Sequence, residues 1–466
     1  MNLEMKVVIL FSFKTKIIIT LGILIFNYNI FSQKYSKGLI LESDDSRFTV
    51  RSPLLSSEDY SNLPTQYSLK EFAPEPGNQG PHSTCGAWAT AYSARSLSFI
   101  ISQSIPNSIK DRYYFSPSFV YNQLKKDSIC ESGITLKEAL DILKFKGSIW
   151  LSEFDYSCSK KVTNNDLTKA KDFNILEYRE LFYRDDEIKI LKVKKSISES
   201  KPVIIAMACP NSFEQVKNVW NPLPEDFNTN HGGHALVVIG YNDDKYRGAF
   251  EVINSWGTQW GDSGFCWIRY SDFEKFVYYG YELIEKNNFN YVQPINGSAF
   301  LKLNDRNLMD FEVRDGVFTS VHKYRSKTKF EIFITNNTPV YLYCFALDDN
   351  GNFTNIFPKD SMTNNIFPYN KSTLPIPDEY NYLEIDSRGS EDFIFLILTR
   401  KLFDLKEIIK PGVSKTLNHK IVIKRLNSLT KAKPKLKVIS SSHLQFIADS
   451  VEEEILPIII KIRKDI

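Results

Sequence analysis

The sequence predicts an α+β protein of two folded domains, the second mainly antiparallel β. Three observations lead there. The 466 residues exceed what one hydrophobic core normally covers. Apolar runs of helical and of strand character mix between residues 63 and 286. Beyond 287, short strand-like runs alternate with polar turn clusters, the pattern of a β-sandwich or barrel. With 42% hydrophobic and 24% charged residues, a wholly disordered or fibrous chain is excluded. The 58 Lys and Arg against 55 Asp and Glu leave +3, which makes no case for a nucleic-acid partner.

At the amino end, Lys6, Lys14 and Lys16 precede an apolar run from Ile17 to Phe26. A run of about ten residues falls short of the ~20 that span a bilayer. Residues 1–32 therefore read as a signal peptide, with an uncleaved anchor as the alternative. The expectation is a secreted, periplasmic or cell-surface protein of a bacterium, with no membrane span once the signal is removed. Export would permit disulfides. Residues 33–62 are polar and turn-rich and read as an N-terminal extension.

From Leu63 the elements follow in order. Trp88, Tyr92, Ser96 and Phe99 fall at helical spacing with Ala89, Ser93, Leu97 and Ile100 beside them, so this helix is buried on most faces. A second helix runs from Leu136 to Lys146 and stops at Gly147. Ile188 to Ser198 makes a third. Pro202 to Met207, Ala235 to Gly240 and Ala249 to Ile253 are strands, the last two joined by the turn Asn242-Asp243-Asp244. Composition shifts near 287, opening a C-terminal β-rich domain over 287–466 with strands such as Phe330–Thr335 and Val340–Ala346. Lys420 to Lys437 carries seven basic residues and no acidic one and reads as a solvated strand face or loop.

Three segments carry chemistry: Asn78-Gln79-Gly80-Pro-His-Ser-Thr-Cys85, Gly232-Gly233-His234-Ala235, and Asn254-Ser255-Trp256-Gly257 with Trp260-Gly261 and Gly264-Phe265. A cysteine nucleophile must be a thiolate, and a helix N-terminus lowers its pKa. Cys85 sits where a helix would begin. An imidazole partner stabilises the ion pair and protonates the leaving group. His234, at the start of a strand that fixes its backbone, suits that role better than His231. Asn254 could orient the ring. Gln79 could donate to a tetrahedral oxyanion beside the backbone N–H of Cys85; losing one such donor costs roughly 2.7–4 kcal/mol. None of the six cysteines has C-x-x-C spacing, and His231 and His234 with Cys209 or Cys266 make an incomplete ligand set, so no metal and no cofactor is expected.

These segments resemble the papain-like cysteine peptidases in a divergent bacterial form, whose functional residues run Gln, Cys, His, Asn. The string from Asn254 to Phe265 is the most specific match. Leu63-Pro64, Ser116-Pro117, Ser132-Gly133, Ala139-Leu140 and Lys201-Pro202-Val203 agree more weakly, so the likeness spans about 63–285. The resemblance implies a two-lobed domain over 63–286, a helical lobe beside a β-barrel-like lobe. It implies Gln79, Cys85, His234 and Asn254 as the catalytic set, and Ser132, Gly133, Gly233 and Trp256 as substrate-binding residues, Trp256 also shielding the His234–Asn254 bond. Cys130 and Cys158 lie where this family places cleft disulfides; a bond or two free thiols are both open. There are departures. Gly86-Ala87 separate Cys85 from Trp88, where the family has Trp directly after the nucleophile. His82 replaces a cysteine, and Ser132 replaces one of a glycine pair. No room exists before Leu63 for the family's long inhibitory prodomain. Tyr341 to Pro358 with Ile376-Pro377 and Gly389-Ser390-Glu391 loosely resembles a bacterial accessory β domain of unknown function.

The functional expectation is a secreted cysteine endopeptidase acting on a protein or peptide substrate through a Cys85 thioester. The alternatives are a transpeptidase or amidase using the same acyl-enzyme, or an inactive surface-binding protein on the same fold. The C-terminal domain is expected to bind a partner or the cell surface.

Overall fold

Val203–Ala208 is buried at every position, which places this aliphatic run in the middle of a sheet. Seven strands build that sheet: β1 (Gln66–Ser68), β2 (Glu177–Phe182), β3 (Val203–Ala208), β4 (Gly233–Asn242), β5 (Ala249–Ile253), β6 (Phe265–Arg269) and β7 (Val277–Ile284). Their order is β2-β7-β3-β4-β5-β6, with β1 on β4 and every pair antiparallel. The turn after β4 is an Asx turn: Asn242 Oδ1 accepts the N–H groups of Asp244 and Lys245.

The computed structural model describes residues 35–43, 50–286, 293–367, 369–410, 417–431 and 433–465. The expected signal peptide lies outside the described residues. From Lys37 onward the chain is one contact unit.

The helical lobe centres on α1. It begins at Cys85–Ala87, widens into a π-helix over Trp88–Arg95 and closes as an α-helix at Ser96–Ser102. Its middle is buried all round: Ala89, Ala91 and Ala94 permit close packing, and Arg95 is buried as an ion pair with Glu285. Helix α2 (Leu136–Phe145) starts with a capping box: Thr135 accepts from the Glu138 N–H while the Glu138 carboxylate accepts from the Thr135 N–H. Gly147, at φ 94°, ends it. Helix α3 (Lys189–Ser198) packs beside β2 and β4.

Beyond residue 293 two sheets face each other across a core that includes Leu301, Phe318, Ile332, Leu342, Cys344 and Ile458. The larger sheet pairs Val340–Asp348 with Glu391–Thr399 and the latter with Ile455–Asp465; Val317–Arg325 runs parallel to Ile455–Asp465 among otherwise antiparallel neighbours. The expectation for the basic stretch is corrected in part. His419–Leu429 is a helix, α4, capped by Asn418 Oδ1 on the Ile421 N–H, with Val422 and Leu426 buried on the larger sheet. Lys435–Ile439 is a strand whose Lys435 and Lys437 are exposed. Lysines at both helix and strand spacing made the two forms indistinguishable by pattern.

Residues 50–62 are not a free extension. Val50 and Ser52 exchange backbone bonds with Glu180 of β2, Arg51 does so with Met362 and Asn364, and the Ser56 N–H donates to Thr373 O. Leu55 and Tyr60 belong to the C-terminal core. In the other direction, Ile284 of β7 packs into the apolar cluster on the outer face of the larger sheet. No helix among the described residues is long and apolar enough to cross a membrane.

Candidate active site

Cys85 opens α1 after Thr84, whose φ of −109° is non-helical. Nearby backbone amides of Ala235, Gly38 and Gly86 favour the thiolate, but burial outweighs them and pushes the thiol pKa up. Ala235 brings Cys85 against the start of β4, where His234 sits. His234 Nε2 lies 2.8 Å from Asn254 Oδ1, and that same oxygen accepts the Ser255 N–H at 2.8 Å. An oxygen already accepting must be the carbonyl end of the amide, so Nε2 carries the imidazole proton. Nδ1, buried and without a hydrogen-bond partner, is then the basic nitrogen. The indole of Trp256 stacks on the imidazole, ring centres 4.5 Å apart and planes 27° apart, and walls the His234–Asn254 bond from water. Burial lowers the His234 pKa to about 4, against the opposing hydrogen bond to Asn254.

Gln79 is fully buried and held from both ends of its amide. Its Oε1 accepts from the Ser255 hydroxyl at 2.7 Å, and its Nε2 donates to His82 O at 2.7 Å. The Gln79 N–H also donates to Ser255 O. The four residues expected to act together are thus brought together, with Ser255 as an additional fastening between the Gln79 loop and the Asn254 turn.

Cys85 and His234 are each 0% exposed, a condition in which no substrate reaches them. The cause is the chain itself. Residues 37–42 cross the site as an extended strap. The Leu39 N–H donates to Gly233 O and the Ile40 N–H to Ile134 O, while Gly38 O accepts from the Ile134 N–H. A Cβ on Gly233 would lie 2.3 Å from Leu39 O, and one on Gly133 2.5 Å from Gly38 O, so both glycines are needed where the strap lies. Lys37 fastens one end to Asn211 and Glu214, and the Glu42 N–H donates to Tyr279 Oη at the other. Of the expected substrate-binding residues, Gly133 and Gly233 touch the strap. Ser132 holds the loop of Gly133 through bonds from Tyr121 and to Asp127, whose carboxyl falls to about 2 as it accepts from Ser132, Glu131 and Ile129. Six residues, 37–42, cover the site. Their signal was the apolar quartet Gly38-Leu39-Ile40-Leu41 in an otherwise polar stretch.

Cys130 and Cys158 are disulfide-bonded. His231 sits apart from the thiol, its Nε2 against Asp226 O and Thr229 Oγ1. Cys209, Cys266 and Cys344 are buried free thiols. Among the described residues no group of three or more His, Cys, Asp or Glu side chains is placed to hold a metal.

Residues 78–279 match the family model "Papain family cysteine protease". This segment is a papain-family cysteine protease domain. Residues 323–401 match a second model, the domain of unknown function DUF4384. The papain-family domain resembles a cysteine protease of Blomia tropicalis, 22% identical over 223 residues, which are 47% of this chain and 64% of that protein. An uncharacterized peptidase C1-like protein of Acanthamoeba polyphaga mimivirus is 28% identical over 89 residues, 18% of this chain and 27% of its own. The chain thus spans less than two thirds of either curated relative. Among solved structures, xylellain, a cysteine protease of Xylella fastidiosa, superposes with a TM-score of 0.46 at 22% identity, covering 54% of this chain and 97% of that one. A digestive procathepsin L 3 of Tenebrio molitor larval midgut gives 0.41 at 16% identity over 51% and 74%.

Proposed function

We propose that the protein is a secreted bacterial cysteine endopeptidase, described here in a latent form with residues 37–42 across its cleft. One observation carries the reading. The hydrogen-bonded chain Ser255 N–H to Asn254 Oδ1 to His234 Nε2 leaves Nδ1 as the base for the Cys85 thiol, whose helix start packs on β4. Once the strap leaves, Nδ1 takes the thiol proton and the thiolate attacks a peptide carbonyl carbon. The oxyanion is met by the Cys85 N–H at the start of α1 and by Gln79 Nε2. Collapse expels the amine, which leaves with the proton from His234, and a Cys85 thioester remains. Water, deprotonated by Nδ1, releases the acid and regenerates the thiol. The basic and apolar stretch at the amino end supports export, and the Cys130–Cys158 bond suits an oxidising compartment.

The test is labelling of the activated protein with an epoxide or vinyl-sulfone inhibitor, with the modified residue mapped by mass spectrometry. Modification at Cys85, and loss of peptide hydrolysis in Cys85→Ala, are expected. Full proteolysis by Cys85→Ala would overturn the assignment.

A further inference from the structure

The two groups proposed to meet the oxyanion, Gln79 Nε2 and the Cys85 N–H, sit at opposite ends of the loop 79–85. Inside the loop Gln79 Nε2 donates to His82 O. One outside group touches both ends. Tyr156 Oη donates to Gln79 O at 2.8 Å, and lies 2.8 Å from Thr84 Oγ1, the residue before Cys85. A phenol has one proton, and it goes to Gln79, so Thr84 is the donor in the second bond. Burial pushes the phenol pKa up, so the hydroxyl stays neutral and keeps that proton.

Tyr156 is itself held. Its ring meets Trp88 of α1 edge-to-face at 4.9 Å. Next along the chain, the Ser157 N–H donates to Ser118 Oγ and Ser157 O accepts from Asn122 Nδ2. One residue further, Cys158 is bonded to Cys130, whose carbonyl accepts the Ser83 N–H inside the same loop. The disulfide therefore connects two supports of one loop: the carbonyl beneath its middle and the hydroxyl across its ends.

We propose that Tyr156 is a positioning residue that sets the separation of the two oxyanion donors, acting through Gln79 and Thr84 from a segment anchored by Cys130–Cys158. The inference rests on the reading of Cys85 as the nucleophile. Oxyanion stabilisation depends on donor placement, and removing one donor outright costs 10²–10³-fold in kcat. Freeing both donors from their common tie without removing either gives a smaller loss.

The experiment compares wild type, Tyr156→Phe, Gln79→Ala and the double variant, each activated as the full chain and normalised to Cys85 alkylated by iodoacetamide. Alkylation is a displacement at carbon that builds no oxyanion, so it reports thiolate and access alone. Tyr156→Phe should lower kcat on a small peptide amide roughly 10- to 50-fold, keep KM within about twofold and keep the alkylation rate within about twofold. The double variant should lose less than the product of the two single losses, since part of the Tyr156 effect passes through Gln79. An unchanged kcat in Tyr156→Phe, fully multiplicative losses in the double variant, or alkylation slowed in step with kcat would each overturn the proposal. If Tyr156→Phe does not fold, Thr84→Val reads the same tie from its other end and must show the same split between kcat and alkylation. Failure of wild type to be alkylated at Cys85 would instead remove the reading of the nucleophile.

Discussion

Gly38 lies beside Cys85, where its amide favours the thiolate, and its carbonyl accepts from the Ile134 N–H. A Cβ there would stand 2.3 Å from the backbone of Ser83, which cannot yield because Ser83 is bonded to Cys130 O in the loop that carries Gln79. Gly38→Ala should therefore unseat the strap while leaving every proposed catalytic side chain intact. Iodoacetamide should alkylate Cys85 in the unprocessed chain at least about tenfold faster than in wild type, a change worth about 1.4 kcal/mol. An unchanged rate would mean that the strap does not restrict access. At this scale the chemistry was legible and its supports were not. Gln79, Cys85, His234 and Asn254 are of chemically distinctive types in a fixed order, and the fold brings them together. Tyr156 is one of 24 tyrosines and acts through a main-chain oxygen 77 positions away, so nothing in its neighbourhood marked it.

The strap is an element with little of its own to hold it: a few backbone bonds, one lysine and the burial of Leu39. Its closure keeps His234 dry, with a pKa near 4 in place of the ordinary 6.5. A hydrated imidazole binds a proton between those values and the covered one does not. The closed state is therefore fully favoured above pH 6.5 and loses ground as pH falls toward 4. Hydrogen-exchange protection of the Leu39 and Ile40 amides, corrected for the intrinsic pH dependence of exchange, should drop across that window. Protection that stays flat from pH 7 to 4 would exclude His234 as the coupling group. Elements with one clear period were read well, as β5 and α2 show. The strap escaped because four apolar residues flanked by polar ones define no element until a cleft is present to receive them. The π-helical course of α1 escaped for a related reason: small residues on every side permit the wider turn but do not announce it.

Across the whole molecule, composition changes at 287 but packing does not stop there. Arg179 of β2 and Glu282 of β7 form a fully buried ion pair; Tyr369 and Ser196 donate to the same carboxylate, and Arg179 Nη1 reaches Ile366 O. Burial alone would raise the Glu282 carboxyl, yet the charges of Arg179 and Lys201 with the two hydroxyls hold it below its usual range. The C-terminal region is thus joined to the sheet of the papain-family segment through the Glu282 carboxylate, supplemented by residues 50–62 in its core. Such a junction has no hydropathy signature, because its key residues are single polar positions in β2 and β7, strands the sequence pattern did not mark. Glu282→Gln leaves the Arg179 guanidinium buried without its counter-charge, a change that typically costs about 3–5 kcal/mol. Tyr369→Phe removes only a hydroxyl donor to a charged group and should cost about 1.5–3 kcal/mol. If the junction is integral, Glu282→Gln must lower the melting of both halves together. Thermal unfolding followed by Trp fluorescence reports the papain-family half, which holds all six tryptophans, and hydrogen exchange in Glu391–Thr399 reports the other. Coincident downward shifts are expected; a papain-family half that melts earlier while Glu391–Thr399 keeps its wild-type protection would show that the two halves are stabilised separately.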